Sequence, residues 1–325
     1  MALRSDPELQ PELESYRREL TGYCYRMLGS GFEAEDAVQE AMVRAWKNID
    51  GLESPAALRS WLYRIATNVC LDMRQASQRR ARPMDLASPS TADTPLPEPL
   101  PENTWLQPVP DARVLPTEGD PAELAAARET VRLAFVAALQ HLPPRQRAVL
   151  ILREVLRWQA NEVAELLDTS VASVNSALQR ARATLDELEL ELDTSGPAAI
   201  EGKEQELLSS YVDAFERYDM DMLVSLLHDD VKFSMPPIPL WLNTPDDVVR
   251  FMLGPGHACR GSRTIVAEAN GSPAFATYKP EDDGGYSAWS LVVLEVRGDK
   301  VSGIHHFLDT ELIFPAFGLP PRLEG

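Results

Sequence analysis

The stretch Ser54–Arg82, SPAALRSWLYRIATNVCLDMRQASQRRAR, decides how the chain is read. Ser54 suits a helix N-cap and Pro55 the first helical position, where a missing N–H costs nothing. Leu58, Trp61, Leu62, Ile65, Val69 and Met73 recur at helical spacing and predict one amphipathic helix. The opposite side carries Arg64, Asn68, Gln75, Gln78 and Arg79, and the run closes on Arg79, Arg80 and Arg82. Such a face is hydrogen-bonding and cationic. Taken alone it is the face of a solvated helix; among suitable neighbours it holds nucleic acid.

Those neighbours are helical too. Leu13, Tyr16, Leu20, Cys24 and Met27 form a first stripe, stopped by Gly29-Ser30-Gly31. A second helix from about Glu33 to Ile49 turns Val38, Met42, Ala45, Trp46 and Ile49 inward and Glu35, Asp36, Gln39 and Glu40 outward. Residues 11–82 therefore read as one all-helical unit.

The formal net charge of −19 is the unusual feature of the composition, and residues 197–325, with ten basic and twenty acidic side chains, carry more than half of it. A chain so charged is repelled by nucleic acid on average, so binding needs local patches or a partner. Cys24, Cys70 and Cys259 lie far apart and support neither a disulfide framework nor a zinc site. No stretch has the apolar length of a membrane span and the N-terminus lacks a signal-peptide core, so the chain is expected in the cytoplasm, without cofactor, metal or membrane partner.

From Pro83 to Pro116 nine prolines and a single basic residue erase all periodicity, and residues 83–118 read as a semi-extended acidic linker. Within it Trp105-Leu106 in TWLQPVPD is an apolar island that a free linker does not need. Residues 119–196 are helical again. Asp120-Pro121-Ala122-Glu123 opens a helix expected through His141, and Pro143-Pro144 opens the next. NEVAELL, a turn at Asp168-Thr169 and SVASVNSALQRARATL form a helix-turn-helix pattern with Val174, Leu178, Ala181 and Leu185 inward. After Ser195-Gly196-Pro197 two helices precede strands near 231–234, 262–269, 273–278, 287–296 and 301–308, with Arg297-Gly298-Asp299-Lys300 as a hairpin turn.

EAEDAVQEAMVRAW followed by SWLYRIATNVCLDMRQ resembles region 2 of the extracytoplasmic-function class of bacterial sigma factors, and LPPRQRAVLILREVL with EVAELLDTSVASVNSALQRARATL is similar to sigma region 4. The resemblance implies an alternative sigma factor that binds core RNA polymerase and directs promoter recognition, and not an enzyme. Asp36, Gln39 and Glu40 match the positions that dock on the beta-prime clamp helices, where a carboxylate, amide and carboxylate offer charge-assisted hydrogen bonds. The loop 48–54, with Trp61, Tyr63, Arg64, Asn68, Arg74 and Arg79, matches the part that opens and reads the minus-ten element; the spacing of Trp61 with Leu58 and Ile65 also suits core packing.

Ser173, Asn175, Ser176, Gln179, Arg180 and Arg182 match the side that reads the minus-thirty-five element while region 4 sits on the beta flap. Asp168 stands where the family usually has glycine, and Asp tolerates the left-handed turn. The linker matches one that threads polymerase channels. Trp105 and Leu106 resemble a motif that docks back on an extra C-terminal domain, an intramolecular tether to the sigma core.

AFERYDMDMLVSLLHDDVKFSMPP and VSGIHHFLD look like the polyketide cyclase SnoaL-like branch of the nuclear transport factor 2-like fold. The expected architecture is thus multidomain: two all-α sigma domains, 11–82 and 119–196, and one α+β cone-shaped SnoaL-like domain, 200–318. Met235, Trp241, Tyr278, Trp289, His305 and Phe307 are the candidate lining of its pocket. His305 and His306 are adjacent in a strand, so one of them faces inward, and no inward Asp partners it. Two roles for this domain stay open, a regulator of the sigma core and a small-molecule enzyme. The alternative for the whole chain is a helix-turn-helix regulator fused to a small-molecule-binding or enzymatic domain.

Overall fold

In the computed structural model, which describes residues 9–52, 54–75, 79–188 and 197–325, contacts divide the chain into Met1–Arg80 with Ala112–Leu192 and Ala81–Asp111 with Asp193–Gly325. The first unit is helical: α1 (Leu9–Ser15), α2 (Arg17–Leu28), α3 (Gly31–Lys47), α4 (Leu58–Gln75), the short α5 (Asp111–Val114), α6 (Pro121–Glu129), α7 (Leu133–Leu139), α8 (Pro144–Leu150), α9 (Ala160–Leu166) and α10 (Val171–Glu187).

Gly29 ends α2 in the left-handed conformation, its N–H returning to the Tyr25 carbonyl, and Ser30 caps α3 by accepting from the Glu33 N–H. The helix opened by Pro55 begins as a 3-10 turn, Pro55–Ala57, and α4 ends at Gln75 rather than at Arg82. Gln78 lies outside the described residues. The helix expected from Asp120 through His141 is broken into α6 and α7, with residues 130–132 between them.

One buried arginine joins the two halves of this unit. Arg147 of α8 is 1% exposed. It donates to the Met27 carbonyl at the end of α2, to Gln140 Oε1 at 2.7 Å and to the carbonyls of Gln140 and Leu142 at 3.1 Å. A cation among helix-end carbonyls satisfies acceptors that a helix C-terminus leaves open.

The second unit has α11 (Pro197–Arg217), α12 (Met220–Leu226), α13 (Pro245–Leu253) and α14 (Thr310–Ala316) around the strands β1 (Leu227–Met235), β2 (Ile238–Leu242), β3 (Arg263–Ala269), β4 (Ser272–Pro280), β5 (Tyr286–Arg297), β6 (Lys300–Phe307) and β7 (Arg322–Leu323). The sheet order is β2-β1-β6-β5-β4-β3, with β7 paired to β5. β5 and β6 join at the expected turn, Arg297 opposite Lys300 and Gly298 at φ 64°. Strand β2 and helices α13 and α14 were not expected.

Alternation sorts the two faces of this sheet. Phe233 packs on Phe251 of α13, and Phe275 on Tyr211 and Phe215 of α11. The next residue of β1, Ser234, turns to the other face, where its register neighbours are His305 and Trp241. That face meets the Pro-rich segment. Residues 81–111 are not a free linker but a strap: the Trp241 indole donates to the Ala87 carbonyl, the Leu100 N–H to the Pro237 carbonyl and the Val109 N–H to Asn270 Oδ1. Residues beyond Asp111 run with the helical unit, where Val114 and Leu115 are buried.

Candidate functional site

On α3 the small residues Ala34, Ala37, Val38 and Ala41 are buried, which leaves Asp36, Gln39 and Glu40 on the exposed side. Glu40 accepts from Arg44 at 2.7 Å, one turn on, and Arg44 lies 3.5 Å from Asp72. Asp36 and Gln39 border an open groove of about 760 Å³ with Arg17, Arg18 and Arg113, the last paired to Glu35. The face therefore presents carboxylate and amide groups with cations at its edge.

On α4 the candidates separate. Trp61 is half-buried and lines a shallow hollow of about 250 Å³ with Arg44, Asn48, Ile65 and Asn68, at the start of the 48–54 loop. Arg64 and Asn68 are exposed, and Arg64 donates to the Glu165 carbonyl of α9 at 3.3 Å. Tyr63 is fully buried and does not belong to a DNA face. Its ring packs on Tyr23 and Trp158 at 5.1 and 5.0 Å, and its hydroxyl donates to Glu19. Burial, then the Glu19 charge, pushes its pKa far up. The side chain of Arg74 lies outside the described residues.

The arginine run at the end of the stretch is not one patch. Arg79 is exposed with a guanidinium nitrogen 2.5 Å from His141 Nε2. Arg80 turns inward on Glu33 at 2.8 Å, and Arg82 is held by Asp85. The helix ends before these residues, so helical spacing no longer governs where they point.

In the helix-turn-helix, Ser170 caps α10 by accepting from the Ser173 N–H at 3.1 Å, and Asp168 takes the turn at φ 49°. Val174, Leu178 and Ala181 are buried against the unit. Ser173, Asn175, Ser176, Gln179, Arg180 and Arg182 are exposed together, with Arg182 bonded to Glu154 at 2.6 Å. The arrangement presents hydroxyl, amide and guanidinium groups along one side of a helix, the donors and acceptors that base edges and phosphates require.

In the sheet unit the six pocket candidates do not converge. Trp241 is tied to the strap, Tyr278 donates to the Pro320 carbonyl at 3.0 Å, and Trp289 lies under the Lys279 ammonium at 3.0 Å. Met235 is buried in the helix-side core. Phe307 borders a cavity of about 390 Å³ shared with Trp105 and Leu106. His305 points away from the helices: its Nδ1 lies 2.8 Å from Ser234 Oγ and its Nε2 3.4 Å from Glu295 Oε2. His306 faces the helix side, with Nδ1 3.0 Å from Ser290 Oγ and its ring on Phe233.

Glu295 is the carboxylate that sequence reasoning missed. It sits opposite Gly303 on the His305 face, where absence of a side chain leaves room for it. Burial pushes its carboxyl up, but His305, Arg82 and Lys232 outweigh that and hold it at about 2. Burial, then the charges of His305 and Lys279, bring His306 down to about 3. The strand sequence around Glu295, LEVRGDK, reads as the polar approach to a turn, so the place of Glu295 beside His305 left no signal.

Trp105 and Leu106 are 3% and 2% exposed. The Trp105 indole donates to the Leu100 carbonyl at 3.4 Å, and the Leu106 N–H donates to the Ala81 carbonyl at 3.0 Å. Among the described residues no His, Cys, Asp or Glu group could hold a metal ion, and no helix is long and apolar enough to cross a membrane.

The model of sigma-70 region 2 matches residues 13–80, and that of sigma-70 region 4 matches residues 132–185. The chain is 44% identical to the ECF RNA polymerase sigma factor SigG of Mycobacterium tuberculosis over 312 residues, 95% of this chain and 83% of that protein. It is 32% identical to SigJ of the same organism over 310 residues, 90% of this chain and 89% of that one. The crystal structure of SigJ superposes with a TM-score of 0.61 at 27% identity and covers 95% of this chain and 99% of the other. The two helical sigma regions and the α+β SnoaL-like domain are thus those of a sigma factor, and the chain belongs to the extracytoplasmic-function RNA polymerase sigma factors.

Proposed function

We propose that Asp36, Gln39 and Glu40 dock on the beta-prime clamp helices of core polymerase while region 4 sits on the beta flap. Trp61, Arg64, Asn68, Arg74 and Arg79 act on the minus-ten element, and Ser173, Asn175, Ser176, Gln179, Arg180 and Arg182 on the minus-thirty-five element. The observation that carries this reading is the joint exposure of the three α3 residues and the six α10 residues, with the apolar sides of both helices buried. The chain works by binding, in the cytoplasm, where promoters are; His305 is a buried side chain, 2% exposed.

The C-terminal domain regulates the sigma core, with Trp105 and Leu106 as its tether. In support, the strap that follows region 2 is bound to the sheet rather than solvated. Asp36→Arg is expected to lower co-purification with core polymerase at least tenfold while leaving the urea midpoint unchanged, since the side chain is exposed. Wild-type recovery of polymerase by this variant would refute the docking face. Trp105→Ala, which unseats the strap, is expected to change run-off transcription by core polymerase; unchanged output would remove the regulatory role.

A further inference from the structure

The cavity of about 390 Å³ lined by Trp105 lies apart from the polymerase- and DNA-facing surfaces proposed above. Half of its wall is strap, with Pro99, Leu100 and Trp105; the other half is the β1–β2 turn, the end of β6 and α14, with Pro236, Phe307 and Ile313. This volume falls within the range of pockets that take small organic molecules.

Its charged groups are all acidic. Glu102, Gln107 and Asp309 border it, and the lining contains no lysine or arginine. Gln107, 4% exposed, spends a donor on Glu102 at 2.7 Å. Burial, followed by the charge of Glu102, raises the pKa of Asp309. Two carboxylates bordering one apolar wall, with no cationic side chain in the lining, favour a cation there and disfavour an anion. An aromatic and aliphatic wall, meanwhile, asks for an apolar body rather than a bare metal ion, whose hydration it cannot replace.

We propose that this cavity is a binding site for a small apolar molecule carrying a protonated amine, its body against Trp105, Phe307 and Ile313 and its ammonium at Asp309 and Glu102. Because the strap supplies half the wall, the ligand binds only the strap-docked form and stabilises it by mass action. The Leu100 N–H, bonded to the Pro237 carbonyl at 3.0 Å, lies on the seam that the ligand would close. The site stands independently of whether the strap regulates transcription.

The test is calorimetric titration of the full-length chain with 1-naphthylmethylamine and with its uncharged counterpart 1-naphthylmethanol. The amine is expected to bind at least about tenfold more tightly than the alcohol, and Asp309→Asn to remove that preference while keeping the affinity for the alcohol, which also shows that the variant is folded. Leu100→Trp, at an exposed lining position, fills the cavity and is expected to abolish binding of both probes. Hydrogen exchange of the Leu100 amide is expected to slow when the amine is present. No binding of the amine at about 1 mM, equal affinity for amine and alcohol, or amine binding unchanged in both variants would overturn the proposal.

Discussion

A Cβ placed on Gly303 would lie 2.8 Å from Glu295 Oε2 and 2.9 Å from His305 Nε2, closer than non-bonded atoms sit. Gly303→Ala is therefore expected to part the Glu295–His305 contact or shift β6, at a cost of about 1–3 kcal/mol, read as a lower urea midpoint. The same cluster fixes how stability depends on pH. Glu295 titrates at about 2 in the folded chain, below its ordinary 4.5, so its contribution is complete above 4.5 and is lost as pH falls toward 2. His306 titrates at about 3 when folded against an ordinary 6.5, so from pH 6.5 downward the unfolded chain takes up a proton that the folded chain refuses. Unfolding free energy should fall on acidification from pH 6.5, by up to about 1.4 kcal/mol per pH unit for each such group. His306→Asn is expected to flatten the part of that curve between pH 6.5 and 4.5; an unchanged slope there would assign the effect elsewhere.

At the scale of elements, the recognition helix depends on its first turn. Ser170 supplies the acceptor for an otherwise open N–H, and Ser170→Ala should cost about 1 kcal/mol of unfolding free energy, with weaker promoter binding than Ser173→Ala produces if the loss is one of helix order rather than of contact. The helices were legible in the sequence because period 3.6 recurs between stop and start signals: Gly29 ends α2 and Pro55 opens the turn before α4, although Ser54 makes no side-chain cap bond there. Tyr63 was misassigned because it sits beside the Leu58, Leu62 and Val69 stripe, on a flank that a one-faced helix exposes and that Tyr23 and Trp158 bury here. β2 escaped because PPIPLWL opens with prolines, which read as a break although they form only its approach. The strap escaped because its composition is that of solvated chain; Trp105 and Leu106 marked its docking, but their partners, Phe307 and Ile313, lie about 200 residues away, beyond the reach of any local pattern.

For the whole molecule, two units with separate cores predict separate loss of structure on heating. Scanning calorimetry should resolve two transitions, and Gly303→Ala should lower only one of them, since its contacts lie within the sheet unit. A single transition that moves as a whole would show that the units unfold together. The charge distribution adds a further distinction. The acid is concentrated after residue 197, whereas the described DNA-facing candidates lie in the helical unit.

The sheet unit is also interrupted in sequence, its strap made first and its strands last. At a ribosomal pace of roughly 5–20 residues per second, the sheet that buries Trp105 and Leu106 is completed roughly 10–40 seconds after the strap is synthesised. Once α10 has been translated, and for the remainder of that interval, the helical unit can fold while the strap has nothing to dock on. Every newly made copy thus passes through an unstrapped infancy, and whatever restraint the strap imposes begins only once β6 and α14 have been made.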